Sequence, residues 1–170
     1  SRPDLTISGM NSGANVGIDI LYSGTVAAAI ESAFLGVPAI AVSLYLRDRN
    51  LIFWDRAAAI AREVIDKILA TRPLTAHEVL NVNIPAIESA DAPMPPIRVV
   101  SMNAAPLLEG FDRRVSPAGQ VYYWAAGEGM QFTSTREGSD VDVLRQQCVT
   151  VTPLSYAMTD DDRLDDWRSS

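Results

Sequence analysis

The segment Ser8-Gly-Met-Asn-Ser-Gly-Ala-Asn-Val-Gly17 gathers two asparagines, two serines and three glycines, and Tyr22-Ser-Gly-Thr25 follows almost at once. These groups suit the binding of an anion. Glycines let backbone N–H groups converge on one point with no side chain in the way, and a helix that starts at Ser or Thr adds the unpaired amides of its first turn. Phosphate is therefore the first ligand to consider, with Ser23, Gly24 and Thr25 as its candidate cradle. Asn11 and Asn15 offer amide oxygens, which Mg2+ or Mn2+ accepts beside carboxylates but which do not hold a divalent ion alone. Ordinary structure accounts for the same residues. Asn and Gly populate turns with positive φ, and residue chemistry alone favours that reading for both asparagines. Ser23 and Thr25 could equally be a plain helix cap, and only Gly24, which removes bulk where a ligand would approach, tilts the balance toward binding.

Other chemistry-bearing residues point elsewhere or nowhere. Gly9, Gly13 and Gly17 do not follow the dinucleotide spacing G-x-G-x-x-G, and the one lysine of the chain, Lys67, is not part of a P-loop. The single histidine, His77, has no nucleophile context and reads as structural. Asp160, Asp161, Asp162, Asp165 and Asp166 read as carboxylates at a helix start and on its solvated face, since the spacing and glycine of a calcium loop are missing. The one cysteine, Cys148, rules out an internal disulfide and reads as a buried, inert thiol in a strand.

The elements that must position the candidate site follow from periodicity. Residues 5–8 form a first strand, 8–17 a loop, and 25–35 a helix apolar on most faces that Gly36 and Pro38 end. Residues 39–44 are a buried strand, which completes a βαβ unit with the expected right-handed crossover. A long amphipathic helix spans 50–70, and residues 79–84 are a strand that stops at Pro85. Beyond the proline-rich 93–96, short strands at 97–102, 120–125 and 148–152 suggest a β-rich extension over about 86–154 with a hairpin arm. A short helix within a C-terminal arm, 155–170, is capped by Thr159.

At 170 residues the chain has room for one domain, 1–170, with a real core. The net charge of −7 excludes broad binding of nucleic-acid polymers but not of small phosphate esters. No apolar run is long enough to span a membrane and no signal peptide precedes the first strand, so no membrane and a reducing, cytoplasmic location are expected.

The order of these motifs resembles the survival protein SurE family of metal-dependent nucleotide phosphatases. The resemblance runs through residues 3–17, Tyr22-Ser-Gly-Thr-Val26, Leu35-Gly-Val-Pro-Ala-Ile-Ala-Val-Ser-Leu44, Leu80-Asn-Val-Asn-Ile-Pro85, Tyr122-Tyr-Trp124 and Val151-Thr-Pro-Leu154. It implies an α/β, Rossmann-like three-layer sandwich with a β-hairpin and a C-terminal arm exchanged in a homodimer or homotetramer. It also implies an acid-phosphatase-like 5′-nucleotidase that hydrolyses nucleoside monophosphates with Mn2+ or Mg2+. In the family's Ser-Gly-Ile-Asn pattern the asparagine is a metal ligand, which here is Asn11, with Met10 in place of isoleucine. The family's Ser-Gly-Thr, which holds phosphate, falls on Ser23, Gly24 and Thr25. The family's other metal ligands, an Asp-Asp pair and a serine, lie upstream of that pattern and have no counterpart here, and no residue is assigned as general base or nucleophile. The chain is thus expected to be either the C-terminal portion of a longer protein, incomplete at the N-terminus, or a non-catalytic phosphate-binding or oligomerising remnant. An uncovered sheet edge would in either case make these 170 residues alone poorly soluble or oligomeric.

Overall fold

Strands β2 (Ala39–Leu44) and β3 (Val79–Ile84) are buried along their whole length. Their side chains alternate between two helices, as a period of two requires. Ile40, Val42 and Leu44 of β2 and Leu80, Val82 and Ile84 of β3 meet helix α2 (Trp54–Thr71) through Ala57, Ile60, Ala61, Val64 and Ile65. Ala39, Ala41 and Val79 face the other way, onto Val26, Ala29 and Ala33 of helix α1 (Gly24–Phe34). Alanine on both sides of that contact lets helix and sheet approach closely. The outer face of α2 carries the exposed pairs Arg62–Asp66 and Lys67–Glu63, at 2.8 and 2.7 Å.

A computed structural model describes residues 2–108, 110–126 and 130–168 of the chain. The central sheet has five strands in the order β1-β2-β3-β7-β4, with β1 (Thr6–Ser12) at one edge and β4 (Ile97–Val99) at the other. Strands β1, β2 and β3 are mutually parallel, whereas β7 (Val149–Leu154) runs antiparallel to β3 and parallel to β4. Helices on both faces make the three-layer α/β sandwich expected from the sequence. The two crossovers β1–α1–β2 and β2–α2–β3 step the same way across the sheet, yet their helices lie on opposite faces. They therefore have opposite hands, and one of them departs from the usual right-handed rule.

Several expectations change. Strand β1 continues past Ser8 to Ser12, so Asn11 sits in a strand rather than a loop. The extension is possible because an extra residue bulges between Ser8 and Asn11, where Gly9 has φ +122°. Helix α2 begins at Trp54 rather than at residue 50. Residues 86–154 are not a separate β-rich extension, because β4 and β7 belong to the central sheet, where Val149 and Val151 join the α2-side core. Only β5 (Phe111–Val115) and β6 (Val121–Ala125) stand apart, as an antiparallel hairpin. The sequence reading also missed helix α3 (Asp140–Arg145). Cys148 precedes β7 and is half-buried, not fully buried. In the C-terminal segment, Tyr156 packs edge-on against Phe34 at 4.7 Å and helix α4 (Asp161–Arg168) buries no residue.

Candidate functional site

The carboxyl ends of β1, β2 and β3 lie side by side, where ligands of open α/β sheets collect. Backbone bonds tie these ends together, from Gly13 N to Leu44 O at 3.0 Å and from Tyr45 N to Ile84 O at 2.9 Å. Asn11, near the end of β1, donates through Nδ2 to Gly13 O at 2.7 Å, which fixes the amide plane. Its Oδ1 accepts no hydrogen bond among the described residues.

Beneath residues 13–17 lies a buried polar web. The Asn15 backbone N–H donates to Asn83 Oδ1 at 2.8 Å and its Nδ2 donates to Ser43 Oγ at 2.6 Å. Asn81 Nδ2 and Asn83 Nδ2 both donate to the Asn15 carbonyl, at 2.8 and 2.9 Å. Asn15, Ser43, Asn81 and Asn83 are all buried. The far end of the loop is held by Asp140, a fully buried residue of α3. Asp140 Oδ2 accepts from Gly17 N at 2.7 Å, and Oδ1 accepts from Asn103 N and Val141 N at 2.8 Å each. Burial pushes the Asp140 carboxyl above its ordinary range, against the opposing pull of those amides. Gly17 adopts φ +57°, and a Cβ there would stand 2.6 Å from Phe132, so both conformation and space demand glycine.

From Gly17 a 3-10 turn (Gly17–Tyr22) leads to α1. Ser23 is its N-cap, and Oγ accepts from Val26 N at 3.1 Å. The amides of Gly24 and Thr25 have no intrahelical acceptor, as in any first turn. A Cβ on Gly24 would meet nothing within 4 Å, so the helix end is open to an approaching group. No hydrogen bond joins Asn11 to Ser23, Gly24 or Thr25 among the described residues; the clamped loop and the 3-10 turn link the two parts.

The remaining candidates serve structure. His77 Nδ1 lies 2.9 Å from both Ala33 O and Tyr156 Oη, which ties the C-terminal segment to the end of α1. The C-terminal aspartates make exposed pairs, Asp160 with Arg163 and Asp165 with Arg168. Among the described residues no three His, Cys, Asp or Glu side chains come together as a metal site. Asn11 thus offers one neutral oxygen, and no cluster of three such side chains among the described residues accompanies it, which does not by itself fit a divalent ion.

Sequence reasoning missed Asn15, Ser43, Asn81, Asn83 and Asp140 as the supports of this loop. For Asn81 and Asn83 a signal was present, since a polar residue in a strand covered on both faces must find a buried partner. For Asp140 there was none, because its partners beyond its own helix are the backbone amides of Gly17 and Asn103, from distant segments.

The chain matches the family described as Survival protein SurE over residues 1–105. It is 43% identical to the 5′-nucleotidase SurE of Rhodopirellula baltica over 172 aligned residues, covering 97% of this chain and 63% of that protein. It is 40% identical to the 5′-nucleotidase SurE of Syntrophus aciditrophicus, covering 95% of this chain and 59% of the relative. The crystal structure of the SurE protein from Aquifex aeolicus superposes with a TM-score of 0.78 at 32% identity, over 99% of this chain and 66% of that one. The chain therefore spans about three fifths of the length of these curated relatives. In sequence and in fold, this chain belongs to the SurE family.

Proposed function

We propose that the protein is a metal-dependent phosphomonoesterase that hydrolyses nucleoside monophosphates, a 5′-nucleotidase. The observation that carries this reading is the open N-terminus of α1, with Ser23, Gly24 and Thr25, set beside a strand end whose loop is clamped from below. Names of relatives that are 5′-nucleotidases support the substrate class. In this reading the amides of Gly24 and Thr25 and the Thr25 hydroxyl hold the phosphate oxygens and stabilise their growing charge. Asn11 would supply one oxygen ligand to Mn2+ or Mg2+, whose shell the described residues do not complete. We further propose a cytoplasmic homodimer or homotetramer. Support for the oligomer comes from the hairpin, on which Phe111, Val115, Val121, Tyr123 and Trp124 are all exposed.

Release of phosphate from AMP at saturating Mn2+ tests the reading. Turnover should vanish with a chelator, and Asn11→Ala should weaken Mn2+ activation at least roughly tenfold. Ser23→Ala should weaken phosphate binding while lowering stability by only about 1 kcal/mol, the worth of a cap. A well-folded preparation with no turnover above background would leave this chain a phosphate-binding or oligomerising module.

A further inference from the structure

Among the described residues nine polar side chains are buried, and Asn15, Ser43, Asn83, Asn103, Ser139 and Asp140 are each hydrogen-bonded through theirs. The other three are not scattered. Asn81 Oδ1, Thr150 Oγ1 and Thr152 Oγ1 are shielded from solvent and have no partner among the described residues. Asn81 and Thr152 are direct cross-strand neighbours on β3 and β7, and Thr150 lies two residues along β7, opposite Asn83. A period of two puts all three side chains on one face of the sheet, the face on which Leu154 packs against the α1-side core. Directly opposed Cβ atoms stand about 4.5–5.5 Å apart, and alternate residues of one strand about 6.6 Å apart. At those spacings the three oxygens border one small space without bonding to one another. Buried polar groups are costly to leave unpaired, so three together call for a shared partner.

We infer that this space is the site of one internal water molecule, bonded to Asn81 Oδ1, Thr150 Oγ1 and Thr152 Oγ1, and that the two threonines thereby act as positioning residues for the loop at 13–17. The chemistry of the three groups selects water. Asn81 gives its Nδ2 to the Asn15 carbonyl at 2.8 Å, and its Oδ1 can only accept. Each threonine hydroxyl has a proton to donate as well as lone pairs to offer. Water can donate to the amide oxygen and still accept from a hydroxyl, and about three hydrogen bonds are its usual complement in a protein interior. A monovalent cation would leave the hydroxyl protons without an acceptor and carry a charge into a buried face. An anion would meet the lone pairs of Asn81 Oδ1. The water reaches the loop through one side chain. It holds the Asn81 amide by its oxygen while the Asn15 carbonyl holds the same amide by its nitrogen. In this way β7 takes part in fixing a loop that follows β1, and the inference does not depend on the phosphomonoesterase reading.

A high-resolution crystal structure of the protein, with a second crystal soaked in thallium(I), tests the site. One density peak should lie within hydrogen-bond distance of all three oxygens and give no anomalous signal from thallium. No peak, a threonine hydroxyl bonded directly to Asn81 Oδ1, or a thallium signal at the peak overturns the inference. Hydrogen exchange tests the positioning role. Thr152→Val removes the hydroxyl at nearly constant volume, and it should speed exchange of the Asn15 amide relative to that of Val42 roughly tenfold, the effect of one lost hydrogen bond. Thr152→Ser keeps the hydroxyl and should restore the wild-type ratio. Equal acceleration at both amides, no change at Asn15, or no rescue by serine would make Thr152 a packing residue only. Should Thr152→Val fail to fold, Thr150→Val carries the same expectation and the same contrary outcomes.

Discussion

The two faces of β2 and β3 are equally buried and chemically opposite. Toward α2 the strands show Ile40, Val42, Leu80 and Val82, an apolar surface that excludes water and asks nothing of geometry beyond shape. Toward α1 the same strands begin with Ala39, Ala41 and Val79 and then turn polar at their carboxyl ends, with Ser43, Asn81 and Asn83. Polar groups gain little stability from burial and are penalised heavily when unpaired. What they supply is direction. Asn15 is held through its N–H, its carbonyl and its Nδ2 at once, so the loop has one position rather than several. The web is not wholly satisfied either. Asn81 Oδ1, Thr150 Oγ1 and Thr152 Oγ1, on cross-strand neighbours of β3 and β7, have no partner among the described residues. One face stabilises the fold, and the other spends some of that stability on fixing a loop.

Breaking the apolar face should have the largest effect on stability and the smallest on chemistry. Ile60→Ala, at a fully buried position, should destabilise by about 2–5 kcal/mol. Calorimetry should find a lowered Tm, with KM for AMP unchanged well below it; an altered KM would mean that the two faces are not separable. On the polar face, Asp140→Asn keeps the shape but turns an N–H donor toward the Gly17, Asn103 or Val141 amide. It should destabilise by about 1–3 kcal/mol. Hydrogen exchange at Asn15 and Gly17 should nonetheless rise more than exchange at Val82, and uniform acceleration at all three would reduce Asp140 to a general stabiliser. The smallest effect belongs to a half-buried carboxylate far from the loop. Hydrogen bonds from Arg72, and then from the Thr75 amide, hold the Glu78 carboxyl at about 2, below its ordinary 4.5. A folded-state value below the unfolded one means that its contribution is present above about 4.5 and lost as pH falls toward 2. Thermal unfolding of wild type and Glu78→Gln should therefore converge across that window. Asp140, raised by burial, titrates with the opposite sign: the stability it contributes below its ordinary value is lost as pH rises from there through its raised one.

Periodicity and punctuation made much of the frame legible. The apolar run 39–44, the helix stop at Gly36 and Pro38, and the cap at Ser23 all correspond to β2, the end of α1 and its N-cap. Where the sequence misled, tertiary pairing overrode local signals. Turn-like glycine and asparagine hid the continuation of β1 to Ser12, which exists only because β2 offers a pairing edge across a bulge. Short strands separated by prolines looked like an extension until β7 paired with β3 over residues 79–83. The candidate site was half visible. Asn11 and Ser23 could be singled out by type, but the groups that hold the loop between them come from positions 43, 81, 83 and 140 and share no local pattern.

The bond from Gly17 N to Asp140 spans 123 residues, and that from Asn15 to Asn83 spans 68. Contacts so distant along the chain can form only after the intervening segments have been brought together, and the entropy of closing such loops delays them. The loop at 13–17 is therefore among the last parts of this chain to take shape. A nascent or partly folded chain with much of its helix and strand in place would still have no ordered loop, so ligand binding would report the completion of folding rather than its onset.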